Sequence, residues 1–296
     1  MTINSPGIYR DVPVEEYDAI HALRRTFLWH LFNQSPGQAK YREKHFKPTK
    51  ALTDGTMVHT ALLEPEEFPR KYAVMPAYEL DEDNVTKDGD APKSPKSTGY
   101  YKKKKAEFER ICAAGGNELV AQEDYDMAYT FGKNIRKHPV AGRFYKRGTA
   151  SEAVIVGYII DGVLCKCRID SLAEGGMPSG ADIKTTADAD VRSWRRSVSK
   201  FGYYFQAVFY LELMKDAGLM DPNFLFVICD KTPPWEVVVR EIGPRTLQLG
   251  KLHVTQALQM YRDCVKDDKW PFYAEGIEET EMSDYDLKEL EDDEQK

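Results

Sequence analysis

The chain has 296 residues, of which 42% are hydrophobic, enough for a substantial core in one large domain or two small ones. It has no apolar run of about eighteen residues and no basic segment followed by an apolar one near Met1, so neither a membrane span nor a signal peptide is expected. Five cysteines, an odd number without the spacing of a disulfide framework, favour a reducing cytoplasm.

The formal charge of −7 hides an asymmetry along the chain. Residues 275–296 carry 11 acidic and 2 basic side chains, so this segment alone contributes −9 and residues 1–274 carry +2. An acidic average is therefore no argument against a nucleic-acid partner. Acidic tails of this kind are typically solvated and disordered. We expect a single domain over residues 1–274, followed by a disordered tail.

The first part of the domain, residues 1–145, has a mainly helical pattern. The helical spacing of apolar residues predicts three helices, at 14–34, from about Asp54 to Pro65 and at 118–138. Ser-Pro-Gly ends the first of them and Pro65 ends the second. Residues 79–105 are polar and predict a mobile insertion. The lysines at 102–105 are candidates for contact with a phosphate backbone, although four exposed lysines more often mark a solvated helix start.

From residue 151 the hydrophobic period changes from helical to alternating. The pattern predicts strands at 151–160, 163–170 and 181–185, a helix at 188–218, strands at 223–230 and 235–242, and a helix at 243–268. Asp161-Gly162 predicts a tight hairpin between the first two strands. The fold class is therefore α/β, with a mixed central sheet flanked by helices in a core at 150–270 and an α-helical N-terminal portion packed against it.

Three charged residues, Asp170, Asp182 and Lys184, lie in apolar runs that otherwise predict buried strands. Side chains alternate along a strand, so Asp182 and Lys184 share a face, and Asp170 joins them if the two strands are neighbours. Two carboxylates and the Ile183 carbonyl form an all-oxygen site suited to Mg²⁺ or Mn²⁺. Lys184 could orient a water or steady charge on a phosphate, as metal-assisted phosphodiester hydrolysis requires. The alternative is an ordinary ion pair at a sheet edge.

The segment "RID…ADIKTT" resembles the bipartite signature of the PD-(D/E)xK, or restriction-endonuclease-like, nuclease superfamily, with Ile169 in place of the usual proline. "FQAVFY" adds Gln206 and Tyr210 at the Q-x-x-x-Y spacing, and "GTMVHTALLEP" adds His59 on an upstream helix. Together they most resemble the exonuclease VIII (RecE-type) nuclease domains and related prophage exonucleases, over residues 53–210.

This resemblance implies roles for particular residues. The catalytic group would be Asp170, Asp182, Lys184 and Glu152, and the metal ligands would be His59, Asp170, Asp182 and the Ile183 carbonyl. Gln206 and Tyr210 would share a helix face turned towards the site and would bind DNA there. Each also has a structural alternative: His59 as a core histidine, Glu152 as an acidic strand start, and the Gln206–Tyr210 pair as helix surface.

Several cations are candidates for contact with the DNA backbone. They are Arg192, Arg195, Arg196 and Lys200 on the long helix, and Arg24 and Arg25 on the first helix for a terminal phosphate. A solvated helix face would look the same, and Trp194 among them is more often a core residue than a base-stacking one. Only Cys264 lies late in the chain, so no iron–sulfur cluster is expected.

The sequence thus predicts a cytoplasmic, Mg²⁺-dependent DNA exonuclease. The resemblance further implies linear double-stranded DNA digested 5′ to 3′, a trimeric or tetrameric ring around DNA, and a single-strand annealing recombinase as partner in homologous recombination. An endonuclease or single-strand nuclease of the same fold remains an alternative, as does a non-catalytic DNA-binding assembly protein.

Overall fold

A computed structural model of the chain describes residues 3, 5–45, 47, 50–76, 98–145, 151–160, 162–173, 178–273, 276–277 and 279–281. The helices are α1 (Val14–Ala19), α2 (Arg25–Asn33), α3 (Pro36–Lys44), α4 (Lys50–Leu63), α5 (Phe68–Lys71), α6 (Gly99–Gly115), α7 (Gln122–Lys137), α8 (Ala141–Phe144), α9 (Val191–Lys200), α10 (Tyr203–Asp216) and α11 (Pro244–Asp267). The strands are β1 (Gly7–Arg10), β2 (Leu23–Arg24), β3 (Tyr72–Val74), β4 (Glu118–Val120), β5 (Ser151–Ile159), β6 (Val163–Ala173), β7 (Ser179–Thr186), β8 (Asn223–Asp230) and β9 (Val237–Glu241). Residues 79–97 of the expected insertion, Asp161, and most of the acidic tail lie outside the described residues.

The main sheet is mixed, as the sequence predicts. Its strand order is β1-β5-β6-β7-β8-β9, and β2 adds to β6 in parallel. β7 and β8 are parallel, whereas the other neighbours along this path are antiparallel. β5 and β6 form the predicted antiparallel pair, and Gly162 just before β6 takes a left-handed φ of 80°. β3 and β4 form a small separate parallel pair.

Helices cover both faces of this sheet because its strands send alternate residues to opposite sides. Phe226 of β8 packs in the cluster that α2, α10 and α11 build around Phe205 and Phe209. The next residue, Val227, packs in the opposite cluster with Met57 of α4 and Phe131 of α7. All five cysteines are buried and unpaired. Within the described residues no helix is long and apolar enough to cross a membrane.

The helix predicted at 14–34 is interrupted, so this expectation is wrong in its middle. α1 ends at Ala19, β2 follows, and α2 begins at Arg25. The cause lies in β6: the buried Lys166 Nζ donates to the carbonyls of Tyr17, at 2.6 Å, Asp18, at 3.3 Å, and Ile20, at 2.6 Å. The Lys166 ammonium thus binds backbone carbonyls at the end of α1 that would otherwise accept hydrogen bonds from the amides of a further helical turn. The α-helical N-terminal portion therefore also contributes strands β1 and β2 to the main sheet.

The long helix predicted at 188–218 is also two helices. α9 ends at Lys200 and α10 starts at Tyr203, with Gly202 between them in the left-handed region at φ 64°. A Cβ on Gly202 would lie 2.6 Å from the Trp29 ring, so glycine is needed for space as well as for conformation. The predicted stop at Gly218 is confirmed, with φ 87° just after α10 ends.

The lysines at 102–105 lie on a helix rather than in a loop. α6 begins at Gly99, and Thr98 caps it by accepting a hydrogen bond from the Tyr101 amide at 3.2 Å. This part of the predicted insertion is wrong because the cap and the following sequence extend α6 to Gly115. Lys105 pairs with Glu109 one turn later, at 3.5 Å, on an exposed face.

Two glycines separate the conformational effect of an added methyl group from its steric effect. Gly202 and Gly218 both have positive φ, but a Cβ at Gly218 meets nothing within 4 Å. We expect Gly218→Ala to lower the free energy of unfolding by about 1 kcal/mol, from backbone strain alone. Gly202→Ala should cost about 2–4 kcal/mol because overlap with Trp29 adds to that strain. Urea unfolding measures both, and equal losses would contradict the close packing at Trp29.

Candidate active site

The site lies where strands β6 and β7 part. These strands pair only at Ser171–Ala181, Leu172–Gly180 and Ala173–Ser179. Further along, the same edge of β6 pairs instead with β2, at Cys165 and Lys166, while β7 stays paired with β8 on its other side. We call the opening between Asp170 of β6 and residues 182–184 of β7 the strand fork.

Asp170 satisfies the backbone that the strand fork leaves unpaired. Its Oδ2 accepts a hydrogen bond from the Ile183 amide at 2.7 Å, in place of the missing β6 backbone. The same oxygen lies 3.3 Å from Nε2 of His59, a residue of α4. Because the N–H and C=O of one strand residue point to the same side, the Ile183 carbonyl also faces the fork.

Asp182 and Lys184 share one face of β7, as the alternation predicts. Oδ1 of Asp182 accepts a hydrogen bond from Nε2 of Gln206 on α10, at 2.7 Å. Oδ2 lies 2.5 Å from Nζ of Lys184. That contact is off the direction of a hydrogen bond, and the buried Oδ2 has no hydrogen-bond partner among the described residues. Asp182 is only 5% exposed, so its second oxygen has an unmet capacity to bind.

The charges of the site are unbalanced in the way that a cation site requires. Burial, with the neighbouring Asp182 adding to its effect, raises the pKa of Asp170 to about 6 although His59, the Ile183 amide and Lys184 oppose the rise. Two carboxylates in one buried space repel, and Lys184 offsets only part of that repulsion. A divalent cation would remove the remainder.

The donor set fits a hard divalent cation. No group of three or more His, Cys, Asp or Glu side chains in the described part of the chain is already arranged around a metal position. The fork nevertheless offers the Asp170 carboxylate, the Asp182 Oδ2, which pairs with Lys184 but accepts no hydrogen bond among the described residues, and the Ile183 carbonyl, with His59 beside them. Oxygen donors with one imidazole suit Mg²⁺ or Mn²⁺ better than zinc.

A family model for a PDDEXK-like domain of unknown function (DUF3799) matches residues 30–282, most of the chain. The chain belongs to this family. A comparison with curated proteins gives no match. Among solved structures, the chain resembles one described as a "putative exonuclease" from Eubacterium rectale. The TM-score is 0.56 at 11% identity, over 94% of this chain and 98% of that one. At that identity the likeness shows the fold alone, and with the family model it confirms the superfamily predicted from the residues.

In this PDDEXK-like domain, Gln206 and Tyr210 lie behind the site. Both are on the α10 face that covers the sheet, and Gln206 is 4% exposed. The Tyr210 ring packs edge-on against Phe224 at 5.2 Å, and burial raises the pKa of its hydroxyl well above the usual value. Neither side chain is placed to contact DNA directly. Gln206 instead orients Asp182.

Arg24 and Arg25 have different environments although they are adjacent. Arg24 is exposed and pairs with Asp18 at 2.8 Å. Arg25 turns inward: its Nη2 donates to the carbonyls of Phe201, at 2.7 Å, and Gly202, at 3.2 Å, and its buried Nε has no partner among the described residues. Burial lowers the pKa of Arg25, and Tyr210, Asp182 and Tyr203 are near enough to oppose the fall. Arg25 therefore belongs to the Asp182 side of the fork.

The α9 cations lie on the exposed face of that helix. Arg192, Arg195, Arg196 and Lys200 are all exposed. Trp194 is 5% exposed and stacks on Tyr203 at 5.2 Å, so it is a core residue rather than a base-stacking one. The Tyr203 ring also packs near Phe226, at 5.5 Å, and Nζ of Lys184 lies over it, 5.2 Å from the ring centroid. The buried side of α9, at Trp194, thus packs against Tyr203, the residue whose ring contacts Lys184.

Glu152 lies in a cleft that opens beside Asp170. The cleft has a volume of about 1000 Å³, and Glu152, Arg168, Asp170 and Tyr145 are among its lining residues. The Glu152 carboxylate forms an ion pair with Nε of Arg168 at 2.8 Å. Both side chains line the cleft that Asp170 also lines. Arg168 and Tyr145 were not identified from the sequence, because no motif or spacing distinguishes them.

The cost of the buried Asp170 carboxylate can be measured. Its folded-state pKa of about 6 lies above the ordinary 3.8, so the penalty on folding is fully present above pH 6 and is relieved as the pH falls from 6 towards 3.8. We expect Asp170→Asn to raise the Tm in EDTA at about pH 7.5, and this gain to disappear near pH 4.

Asp188→Asn is the control for this substitution. Hydrogen bonds from Ser193 and the Asp190 amide lower the pKa of Asp188, so its neutralisation should not stabilise the protein. A lower Tm for Asp170→Asn at neutral pH would contradict the buried-charge interpretation.

Proposed function

We propose that this chain is a Mg²⁺-dependent exodeoxyribonuclease that hydrolyses the phosphodiester bonds of linear double-stranded DNA. One observation carries the proposal: the strand fork brings Asp170, Asp182 and Lys184 together in a chain of the PDDEXK-like family. When bound there, a divalent cation would supply Lewis-acid chemistry, activating water and neutralising charge on the phosphate.

The residues of the fork divide the remaining work. Asp170, the Asp182 Oδ2 and the Ile183 carbonyl would hold the cation, together with His59. Gln206 fixes the other oxygen of Asp182, so the ligand has one orientation. Lys184 would align the attacking water and stabilise the negative charge that develops on the phosphate oxygens.

Cations around the fork support binding of a polyanion. The exposed Arg192, Arg195, Arg196 and Lys200 would hold the DNA backbone without reading its sequence. Arg25 is favoured over Arg24 for a terminal phosphate, because its Nε is unpartnered and it lies towards Asp182, whereas Arg24 is engaged by Asp18. Glu152 is proposed as an accessory acid on the cleft side of Asp170.

The finer assignments rest on the resemblance to RecE-type nucleases. They are 5′-to-3′ digestion that leaves 3′ single strands, an annealing recombinase as partner, a trimeric or tetrameric ring, and a cytoplasmic location. The description of the Eubacterium rectale structure as an exonuclease also favours exonucleolytic over internal cleavage.

The first test compares substrate topologies. We expect linear duplex labelled at one 5′ end to be degraded with Mg²⁺ and not with EDTA, and closed circular duplex to be left intact. Lys184→Ala should lower kcat by about 10²–10³-fold because the developing charge loses its cation. Asp182→Ala should abolish metal-dependent cleavage.

Lys215→Ala and Asp263→Asn are the matched controls, since in the described part of the chain these side chains form exposed hydrogen bonds with neighbours one turn away, Glu212 and Gln259, and none with the fork. Cleavage of closed circles would show an endonuclease. Unchanged degradation by Asp182→Ala would overturn the site, and absence of any cleavage by the wild type would leave a DNA-binding protein.

A second test concerns the exposed arginines of α9. Replacing Arg195 and Arg196 with alanine should raise the KM for duplex and flatten its salt dependence, by about one unit of slope for each phosphate that is no longer neutralised. The kcat at saturation should stay the same because neither residue contacts the fork. Lys251→Ala, which removes an exposed lysine from α11, is the control. An unchanged salt slope would show that α9 is only a solvated helix face.

A further inference from the structure

Tyr145 carries an unsatisfied hydroxyl beside the fork. The residue follows α8 directly and is 8% exposed. Its hydroxyl is buried and has no hydrogen-bond partner among the described residues. A buried polar group without a partner costs about 1–3 kcal/mol, so its persistence calls for a specific explanation.

The backbone contacts around Tyr145 place it next to Asp170. The carbonyl of the preceding residue, Phe144, accepts a hydrogen bond from Oγ of Ser171 at 2.8 Å. Ser171 follows Asp170 and forms the last β6–β7 pair before the fork. Tyr145 therefore approaches the fork from an anchored position, and it lines the same cleft as Asp170.

The hydroxyl is suited to donate a hydrogen bond to a carboxylate. Burial raises its pKa well above the usual value, and the charges of Asp170 and then Asp182 raise it further. The phenol thus stays protonated, and the carboxylates that act on it are possible acceptors. In the structure, Oδ2 of Asp170 is shared between the Ile183 amide and His59, and the phenol is not among its partners.

We propose that Tyr145 is a positioning residue of the cation site, whose hydroxyl donates its hydrogen bond to the Asp170 carboxylate when a divalent cation is bound. This inference rests on the proposed function, because it assigns Asp170 to the cation. Carboxylates that bind metals are generally held by such outer hydrogen bonds, and loss of one lowers metal affinity or activity by about 10–100-fold. The Tyr145 hydroxyl would then gain its hydrogen-bond partner when the divalent cation binds.

The test compares two buried tyrosines in the full chain. Tyr145→Phe removes an unpaired hydroxyl, whereas Tyr204→Phe removes one that lies 2.8 Å from Nδ1 of His253, away from the fork. We measure Mn²⁺ affinity by titration calorimetry and the free energy of unfolding in EDTA by urea. Tyr145→Phe should bind Mn²⁺ about 10–100-fold more weakly while its unfolding in EDTA is unchanged or needs more urea. Tyr204→Phe should do the reverse, losing stability at unchanged Mn²⁺ affinity.

The possible results separate this inference from the proposed function. Unchanged Mn²⁺ affinity of Tyr145→Phe would overturn the role of the hydroxyl, and so would a loss of stability in EDTA, because it would show a bond already formed. A wild type that binds Mn²⁺ but cleaves no DNA would overturn the nuclease proposal and leave the role of Tyr145 standing. A wild type that binds no Mn²⁺ would overturn both.

Discussion

The hydrogen bond from the Ile183 amide to Asp170 is the contact on which the site depends. Where β6 and β7 part, the inner edge of β7 loses its strand partner, and an unpaired backbone amide in the interior is costly. The carboxylate of Asp170, the first β6 residue beyond the paired segment, meets that need and is itself buried by doing so. The same parting leaves room between the strands for Asp182 and Lys184. The same parting of β6 and β7 therefore determines both the local backbone and the positions of Asp170 and Asp182.

The fork also explains why the N-terminal part belongs to the site. The edge of β6 that β7 leaves is taken over by β2, and Lys166 holds the carbonyls just before β2. Arg25, the next residue along the chain, is consequently carried to the Asp182 side, while α4 brings His59 to Asp170 from the opposite face of the sheet. Residues more than a hundred positions apart thus share one small volume, and each is delivered by a different element.

The features of the site that follow from side-chain periodicity or from charge could be predicted from the sequence. The alternating strands, the shared face of Asp182 and Lys184, and the neighbouring Asp170 follow from side-chain alternation and the cost of burying charge. The breaks near Ile20 and Gly202 did not, because they depend on Lys166 and Trp29, which are distant in sequence. Tyr145 has no motif at all, since its proposed role rests on a hydroxyl that has no hydrogen-bond partner among the described residues.

The proposed binding surface and the proposed site of chemistry are separate in this domain but are joined by packed side chains. The exposed cations of α9 face solvent, whereas the fork residues are mostly buried, so one set can hold a backbone while the other acts on a single phosphate. The connection is aromatic: Trp194 on the inner side of α9 stacks on Tyr203, whose ring lies under the Lys184 ammonium. The inner side of α9 therefore supports the ring under Lys184, while, among the described residues, the arginines on its outer face make no contact with that ring. The stacking of the buried Trp194 on the half-buried Tyr203 thus lies directly beneath the lysine that contacts Asp182.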